Sequence, residues 1–172
     1  FGIASGAADI FGVTGGVMEA ALRTAYEVVT GKTLENVNFE AVRGLEGIKE
    51  AEIDLNGTKI NVAIAHSTGA ASKLLDMVKA GEKNYTFIEV MGCPGGCVTG
   101  GGQPIVPARD RMKVDPRVVR AKALYTEDES KAQRKSHKNA AVQKLYEDYL
   151  GQPNSHKAHE LLHTHYVDRS GK

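Results

Sequence analysis

The most informative segment of the chain reads Glu89-Val90-Met91-Gly92-Cys93-Pro94-Gly95-Gly96-Cys97-Val98-Thr99-Gly100-Gly101-Gly102-Gln103-Pro104. The run just before the cysteines, 85–90, is rich in apolar, aromatic and β-branched residues and predicts a largely buried strand that ends at two thiols on one short loop. Glycines on both sides let the backbone approach a bound group closely and turn its N–H groups inward. Thiolate ligands surrounded by backbone dipoles are what an iron–sulfur site requires.

The two cysteines alone also allow other interpretations. They could be ordinary buried thiols, a labile disulfide or half of a zinc site. A radical-SAM pattern needs a third cysteine soon after the second, but position 100 is glycine. A phosphate-binding loop would end in Lys followed by Ser or Thr, whereas Gly102 is followed by Gln103 and Pro104.

Helix and strand patterns alternate before this loop. Apolar spacing in 17–29 predicts a helix with Val28 and Val29 on its inward face, and it favours Thr14 as the N-cap. Alternating residues on either side of Asn56-Gly57 predict a hairpin, because that turn needs two residues with positive φ. A second helix is predicted near 70–79. This order of elements favours an α/β sheet.

The chain turns polar and charged after residue 107. Helices are predicted near 116–122, 137–149 and 155–164, separated by a Gly-Gln-Pro-Asn segment at 151–154. The charged run 122–138 is typical of a solvated surface, on which Arg134 and Lys135 could dock an anionic electron carrier. We therefore divide the chain into an α/β lobe at 1–107 and a helical C-terminal tail at 108–172.

Composition and charge exclude several classes of function. Of the 172 residues, 41% are hydrophobic and 25% are charged, and the net charge of +1 favours neither nucleic acid nor an anionic membrane as partner. No apolar run could span a bilayer, and no signal-peptide pattern opens the chain. Cys93 and Cys97 lie too close together to staple a fold, so a cytoplasmic location is the default, with the periplasm open if a partner carries the chain there.

The whole cysteine segment resembles the third signature of the [FeFe]-hydrogenases, Glu-x-Met-x-Cys-x-x-Gly-Cys-x-x-Gly-Gly-Gly-x-Pro. Every fixed position is filled here, by Glu89, Met91, Cys93, Gly96, Cys97, Gly100, Gly101, Gly102 and Pro104. The segments 11–23, 43–51, 134–137 and 159–163 are also similar to parts of this family, so the resemblance covers nearly the whole chain.

The resemblance implies an enzyme that reversibly reduces protons to H₂ at the family's H-cluster. This cofactor is a [4Fe–4S] cube joined through a cysteine sulfur to a two-iron unit with CO, cyanide and a bridging dithiolate. By position in the signature, Cys93 would bind the cube, and Cys97 would bind the cube and bridge to the two-iron unit. Met91 would lie near the dithiolate, a contact that suits a thioether. Phe11 and the Gly12 backbone would line the opposite wall.

The resemblance also implies parts that are not in this sequence. The family's first two signatures carry the other two cube cysteines, a lysine near the cyanides and a proton-relaying cysteine. The family domain has two lobes, each a twisted, mainly parallel sheet flanked by helices, with the cluster between them. Because the chain starts at Phe1 and has only half the cysteine ligands, we interpret it as one lobe plus the tail, inactive alone. Its expected partners are the remainder of the domain and an electron carrier such as a ferredoxin or a cytochrome.

Two other functions stay open. A non-enzymatic relative could bind an ordinary [4Fe–4S] cluster for assembly or sensing, although Met91 and Phe11 argue against it. The segment His159-Glu160-Leu161-Leu162-His163 satisfies the HExxH pattern of zinc proteases. A terminal helix with Leu161 and Leu162 facing inward is the simpler interpretation of that segment.

Overall fold

The computed structural model of the protein describes residues 2–170. They form two compact units: residues 4–136 make the first, and residues 2–3 together with 137–170 make the second. The predicted α/β class is confirmed, because the first unit contains a three-stranded sheet with helices packed on it. The boundary between lobe and tail at residue 107 stays a prediction.

The first unit contains five helices and three strands among the residues described. The helices are α1 (Gly6–Asp9), α2 (Gly16–Thr30), α3 (Thr68–Lys79), α4 (Ala108–Arg111) and α5 (Pro116–Ser130). The strands are β1 (Ile48–Leu55), β2 (Thr58–His66) and β3 (Phe87–Met91). Short 3₁₀ turns lie at Ile10–Gly12, Glu40–Val42 and Cys97–Thr99, and another at Ser136–Lys138 spans the point in sequence where the second unit begins.

The sheet is mixed, with strand order β1-β2-β3. β1 and β2 are antiparallel and form the predicted hairpin, in which Asn56 and Gly57 take positive φ angles of 56° and 93°. β3 pairs in parallel with β2 after the chain passes through α3, so that Met91 is paired with His66. The parallel pair therefore comes from the crossover and the antiparallel pair from the tight turn.

The core lies on both faces of the central strand β2. On one face, Val62 and Ile64 pack with Met18 and Leu22 of α2. On the other face, Ala63 and Ala65 pack with Leu74 of α3. All four of these β2 residues are fully buried. The α2 helix and β3 are thereby fixed against the same central strand. β3 leads directly into the cysteine loop, and α2 begins just after the turn at residues 12–14.

Helix α2 buries a different face from the one predicted. Val28 and Val29 are 72% and 62% exposed, so their predicted inward position is wrong. The buried face of α2 instead contains the apolar residues Met18 and Leu22. It also contains the charged residues that follow each of them in sequence, Glu19 and Arg23. The predicted N-cap Thr14 is also wrong, because the cap position is held by Gly15 at φ 90°.

The second unit is helical. It contains α6 (Ala140–Leu145), which continues into a π-helical turn at Tyr146–Leu150, and α7 (His156–Leu162). The predicted inward position of Leu161 and Leu162 is wrong: these side chains are 52% and 57% exposed, and the buried residue of α7 is Ala158. No helix within residues 2–170 combines the length and apolar character needed to cross a membrane.

Candidate functional site

The two cysteines lie on a loop of consecutive tight turns directly after β3, at residues 92–104 (the cysteine loop). The Gly96 amide donates to the Cys93 carbonyl at 2.9 Å, and the Gly100 amide donates to the Cys97 carbonyl at the same distance. The Thr99 hydroxyl donates to the Pro94 carbonyl at 2.6 Å and closes the loop from the side. Both thiols are free and exposed, so either sulfur can reach a ligand.

Gly96 is the point at which the cysteine loop touches the turn formed by residues 12–14. Its φ is +97°, and a Cβ there would lie 2.7 Å from the Gly12 carbonyl oxygen and 2.8 Å from the Thr14 nitrogen. The Thr14 amide also donates to the Gly95 carbonyl at 3.1 Å. A side chain at position 96 would therefore push these two backbone segments apart.

The contact creates a hollow of about 250 Å³ beside Cys97. It is lined by Gly12, Cys97, Val98, Gln103, Arg120, Ala123 and Leu124. The structure thus brings the predicted site residues Gly12 and Cys97 together. Phe11, next to Gly12, is 46% exposed, and Met91 is partly buried at the end of β3.

The donor set fits one side of an iron–sulfur cluster. Two exposed thiols on a loop of glycines, packed against a second glycine-rich turn, satisfy the need for soft ligands and for room beside an inorganic core. They are two of the four thiolates that a cube takes. The site would need two further thiolates to hold a cube.

Glu89 joins strand β3, which leads to the cysteine loop, to the start of α2, which follows the turn at residues 12–14. Its carboxylate accepts hydrogen bonds from the Gly15 amide at 2.6 Å and from the Met18 amide at 2.7 Å, so it caps the start of α2 from strand β3. The residue is 6% exposed. A buried negative charge at a helix N-terminus satisfies free N–H groups and interacts favourably with the helix dipole. The sequence signal for this role is an acid in an otherwise apolar strand.

Two further buried groups, Lys49 and His66, lie near this cap. Lys49 Nζ donates to the Thr14 carbonyl at 3.1 Å and to the Gly44 carbonyl at 2.9 Å. Burial lowers the pKa of Lys49 to about 8, against the opposing attraction of Glu89 and Glu46. Burial, followed by the positive charge of Lys49, also lowers the pKa of His66, whose Nδ1 is buried without a hydrogen-bond partner within the part of the chain described.

A buried ion-pair network fixes α5 to α2. Arg23 and Asp128 are both fully buried and pair at 2.8 Å, and Arg23 also contacts Glu19 at 2.8 Å. Burial alone would raise the pKa of Asp128, but hydrogen bonds from Arg23 and Arg134 outweigh it and lower the pKa. The network therefore keeps the carboxylate charged and joins residues that are 105 positions apart in sequence.

The suggested docking site at Arg134 and Lys135 is not supported. Arg134 pairs with Asp128 at 2.6 Å, and Lys135 pairs with Glu27 at 2.5 Å, with both basic side chains mostly shielded from solvent. These residues hold the end of the first unit together. Their charges are already compensated inside the protein, so they are poor candidates for an electron-carrier surface.

The HExxH segment shows no arrangement of a zinc centre within residues 2–170. The rings of His159 and His163 lie 4.3 Å apart between centroids, and the ring of His165 lies 5.9 Å from that of His159. Across residues 2–170, no set of three or more His, Cys, Asp or Glu side chains is arranged to hold a metal ion. The geometry therefore gives no support to the zinc-protease interpretation.

Comparison with protein families gives two matches that follow one another along the chain. Residues 1–101 match the family described as "Iron only hydrogenase large subunit, C-terminal domain". Residues 114–169 match the family described as "Iron hydrogenase small subunit". Cys93 and Cys97 both lie in the first region, and α5 lies in the second.

Individual relatives point the same way. The chain is 52% identical to iron hydrogenase 1 of Clostridium pasteurianum over 94% of its length, and it spans 28% of that relative. It is 58% identical to the periplasmic [Fe] hydrogenase large subunit of Nitratidesulfovibrio vulgaris over 62% of its length, or 25% of that relative. Cytosolic iron-sulfur assembly component 3 of Rattus norvegicus is more distant, with 30% identity over 90% of the chain and 31% of that relative.

The fold also matches solved structures. An [FeFe]-hydrogenase of Chlamydomonas reinhardtii superposes with a TM-score of 0.68 and 42% sequence identity. The match covers 91% of this chain and 45% of that structure. The protein is therefore similar to a little under half of the solved enzyme.

Proposed function

The chain belongs to the iron-only hydrogenase family, and on that premise we propose that it supplies part of a catalytic domain that interconverts H₂ with protons and electrons. The observation that carries this proposal is the pair of exposed thiols of Cys93 and Cys97 on a loop pressed against the turn at Gly12. We propose these two cysteines as ligands of the H-cluster. When bound, that cofactor supplies the redox chemistry.

The residues of this chain would hold and enclose the cofactor. Cys93 would bind the cube, and Cys97 would do so on the side that faces the hollow. Met91 and Phe11 would give apolar contacts, and the Gly12 backbone would allow close approach. Glu89 supports this arrangement indirectly, because it fixes the start of α2 and with it the position of the turn at residues 12–14.

The remaining ligands would come from polypeptide outside these 172 residues. The chain contains two cysteines and spans about a quarter of the length of the hydrogenases it matches. We therefore propose that it acts together with the rest of the domain and with an electron carrier such as a ferredoxin or a cytochrome. A cytoplasmic location is part of the same proposal.

A non-enzymatic iron–sulfur protein is the alternative function. The similarity to the cytosolic assembly component, at 30% identity, supports it. The hydrogenase function is better supported, because identity to iron hydrogenase 1 is 52% over a similar share of the chain. The two functions differ in one testable respect: the hydrogenase needs the residues around the two-iron unit as well as the cysteines.

The test is to assemble the chain anaerobically with the complementary part of a related hydrogenase and to measure iron per protein and H₂ production. Cys93→Ser and Cys97→Ser should each lower the iron content. Met91→Ala should lower H₂ production while leaving cube absorption in place, and Met112→Ala, at an 88% exposed methionine, is the matched control. If Met91→Ala and Met112→Ala behaved alike, the alternative function would be favoured; full iron content in both serine variants would contradict both functions.

A further inference from the structure

Helix α5 carries a stripe of side chains that reach the cysteine loop, the turn at residues 12–14 and α2 in succession. The stripe consists of Arg117, Arg120, Leu124 and Asp128, which recur at the spacing of one helix face. These residues are buried or half-buried, whereas Val118, Val119, Lys122 and Glu127 between them are exposed. This face of α5 therefore packs on the rest of the first unit.

Arg120 makes the contacts that matter most for the cysteine loop. Its guanidinium donates from one terminal nitrogen to the Val98 carbonyl and from the other to the Pro104 carbonyl, each at 2.8 Å. These carbonyls stand on either side of the three glycines at 100–102, just after Cys97. A segment of three glycines has little stiffness of its own, so the planar fork of the arginine fixes the distance between its two ends.

The neighbours of Arg120 on the stripe hold the helix in place. One turn further on, the Leu124 Cδ1 atom lies 2.9 Å from where a Cβ of Gly12 would be. One turn beyond that, Asp128 pairs with Arg23 inside the protein. On the other side, the Arg117 side chain lies 3.3 Å from where a Cβ of Gly95 would be. Helix α5 thus contacts both segments that border the hollow beside Cys97, the turn at Gly12 and the cysteine loop.

We infer that Arg120 is a positioning residue, which orders the loop 98–104 and through it sets the orientation of Cys97. The α5 helix lies in the region matched by the small-subunit family, so through Arg120 this region contributes to the loop that follows Cys97. The consequence for cluster binding rests on the proposed function, whereas the ordering of the loop does not.

The first test uses hydrogen–deuterium exchange of the full chain without metal. The amides of Thr99, Gly100 and Gln103 are hydrogen-bonded within the loop and report on its closure. Arg120→Met should speed their exchange at least about tenfold, because two hydrogen bonds from a charged donor are lost. Arg120→Lys should give an intermediate rate. Exchange within twofold of wild type in Arg120→Met would overturn the inference.

Two controls separate loop ordering from general loss of structure. Arg109→Met removes an arginine that is exposed and pairs with its neighbour Asp110, so the loop amides should exchange as in wild type. Exchange within β2 reports the integrity of the core. If Arg120→Met disturbs β2, Arg120→Gln carries the test with the same threshold.

A second measurement addresses the cluster itself. In chain assembled with its complementary polypeptide, Arg120→Met should shift or broaden the infrared bands of the CO and cyanide ligands, and Arg120→Lys should restore them in part. Unchanged bands in both variants would refute a role for Arg120 at the cluster. If wild type itself takes up no cluster, the proposed function fails, while the exchange experiment still decides whether Arg120 orders the loop.

Discussion

Glu89→Ala is expected to lower the free energy of unfolding by about 3–5 kcal/mol. The carboxylate accepts two short hydrogen bonds, from the amides of Gly15 and Met18, in a site where Glu89 is 6% exposed. A hydrogen bond to a charged group contributes roughly 1.5–3 kcal/mol, and a buried donor left without a partner costs about as much. The interaction with the helix dipole is part of the same energy and is not added to it.

Glu89→Gln should lose about half as much stability, because the amide keeps one oxygen acceptor but turns an NH₂ group toward a second donor. Urea unfolding followed by circular dichroism measures both changes, provided that the m value stays constant. Glu52→Gln is the matched control, since Glu52 is an exposed strand glutamate that pairs with Lys59 on the surface and should change stability by less than about 1 kcal/mol. A loss below about 1 kcal/mol in Glu89→Ala would refute the capping role.

The other predictions concern the ion pair, the buried lysine and the glycine contact. Arg23→Met should lower the free energy of unfolding by about 3–5 kcal/mol because it leaves Asp128 buried with reduced compensation, and a loss under about 1 kcal/mol in urea unfolding would contradict this. Lys49 has a pKa of about 8 against an ordinary value of 10.5, so the unfolded chain binds more protons in that window and stability should rise with pH there by up to about 3 kcal/mol. Lys49→Met should flatten this rise, and an unchanged slope in pH-dependent unfolding would count against it. Gly96→Ala should destabilise the loop, because the φ of Gly96 is positive and a Cβ there has no room. It should also lower the iron content of the chain assembled with its complementary polypeptide. Gly92→Ala, where a Cβ meets nothing within 4 Å, should do neither, and equal iron content in the two variants would show that the contact at Gly96 is not needed.

The elements predicted well from sequence depend on local interactions. Asn56 and Gly57 determine their own turn by accepting positive φ angles, and strand β3 is a short apolar run beside the cysteine loop. Neither needs information from a distant part of the chain. For the same reason the α/β class was predictable from the alternation of patterns.

The errors occurred where a distant residue decides the outcome. Thr14 has the chemistry of an N-cap, yet the start of α2 is capped by Glu89, more than seventy positions away. Hydrophobic spacing predicts the wrong inward face for α2, because Glu19 and Arg23 resemble surface residues in the sequence. In the structure Arg23 is buried between Glu19, one turn away, and the distant Asp128. Hydrophobic periodicity assigns charged residues to the outside and cannot detect a buried partner.

The candidate site likewise contains residues that the local sequence indicates and residues that only distant contacts reveal. Cys93 and Cys97 follow from the signature because thiol ligands have a specific residue type at a specific spacing. Arg120 leaves no comparable signal, because its partners are backbone carbonyls, and any sequence supplies those. Contacts between side chains and backbone across distant segments emerged only from the three-dimensional structure.

The most direct test of the central claim is infrared absorption in the CO and cyanide stretching region, recorded on the chain after anaerobic assembly with its complementary polypeptide and compared with Cys97→Ser. We predict bands in the wild-type assembly, accompanied by H₂ production from a reduced dye, and loss of both in Cys97→Ser. Iron without these bands in the wild type, or bands that persist unchanged in Cys97→Ser, would contradict the claim that this cysteine loop holds the catalytic cluster.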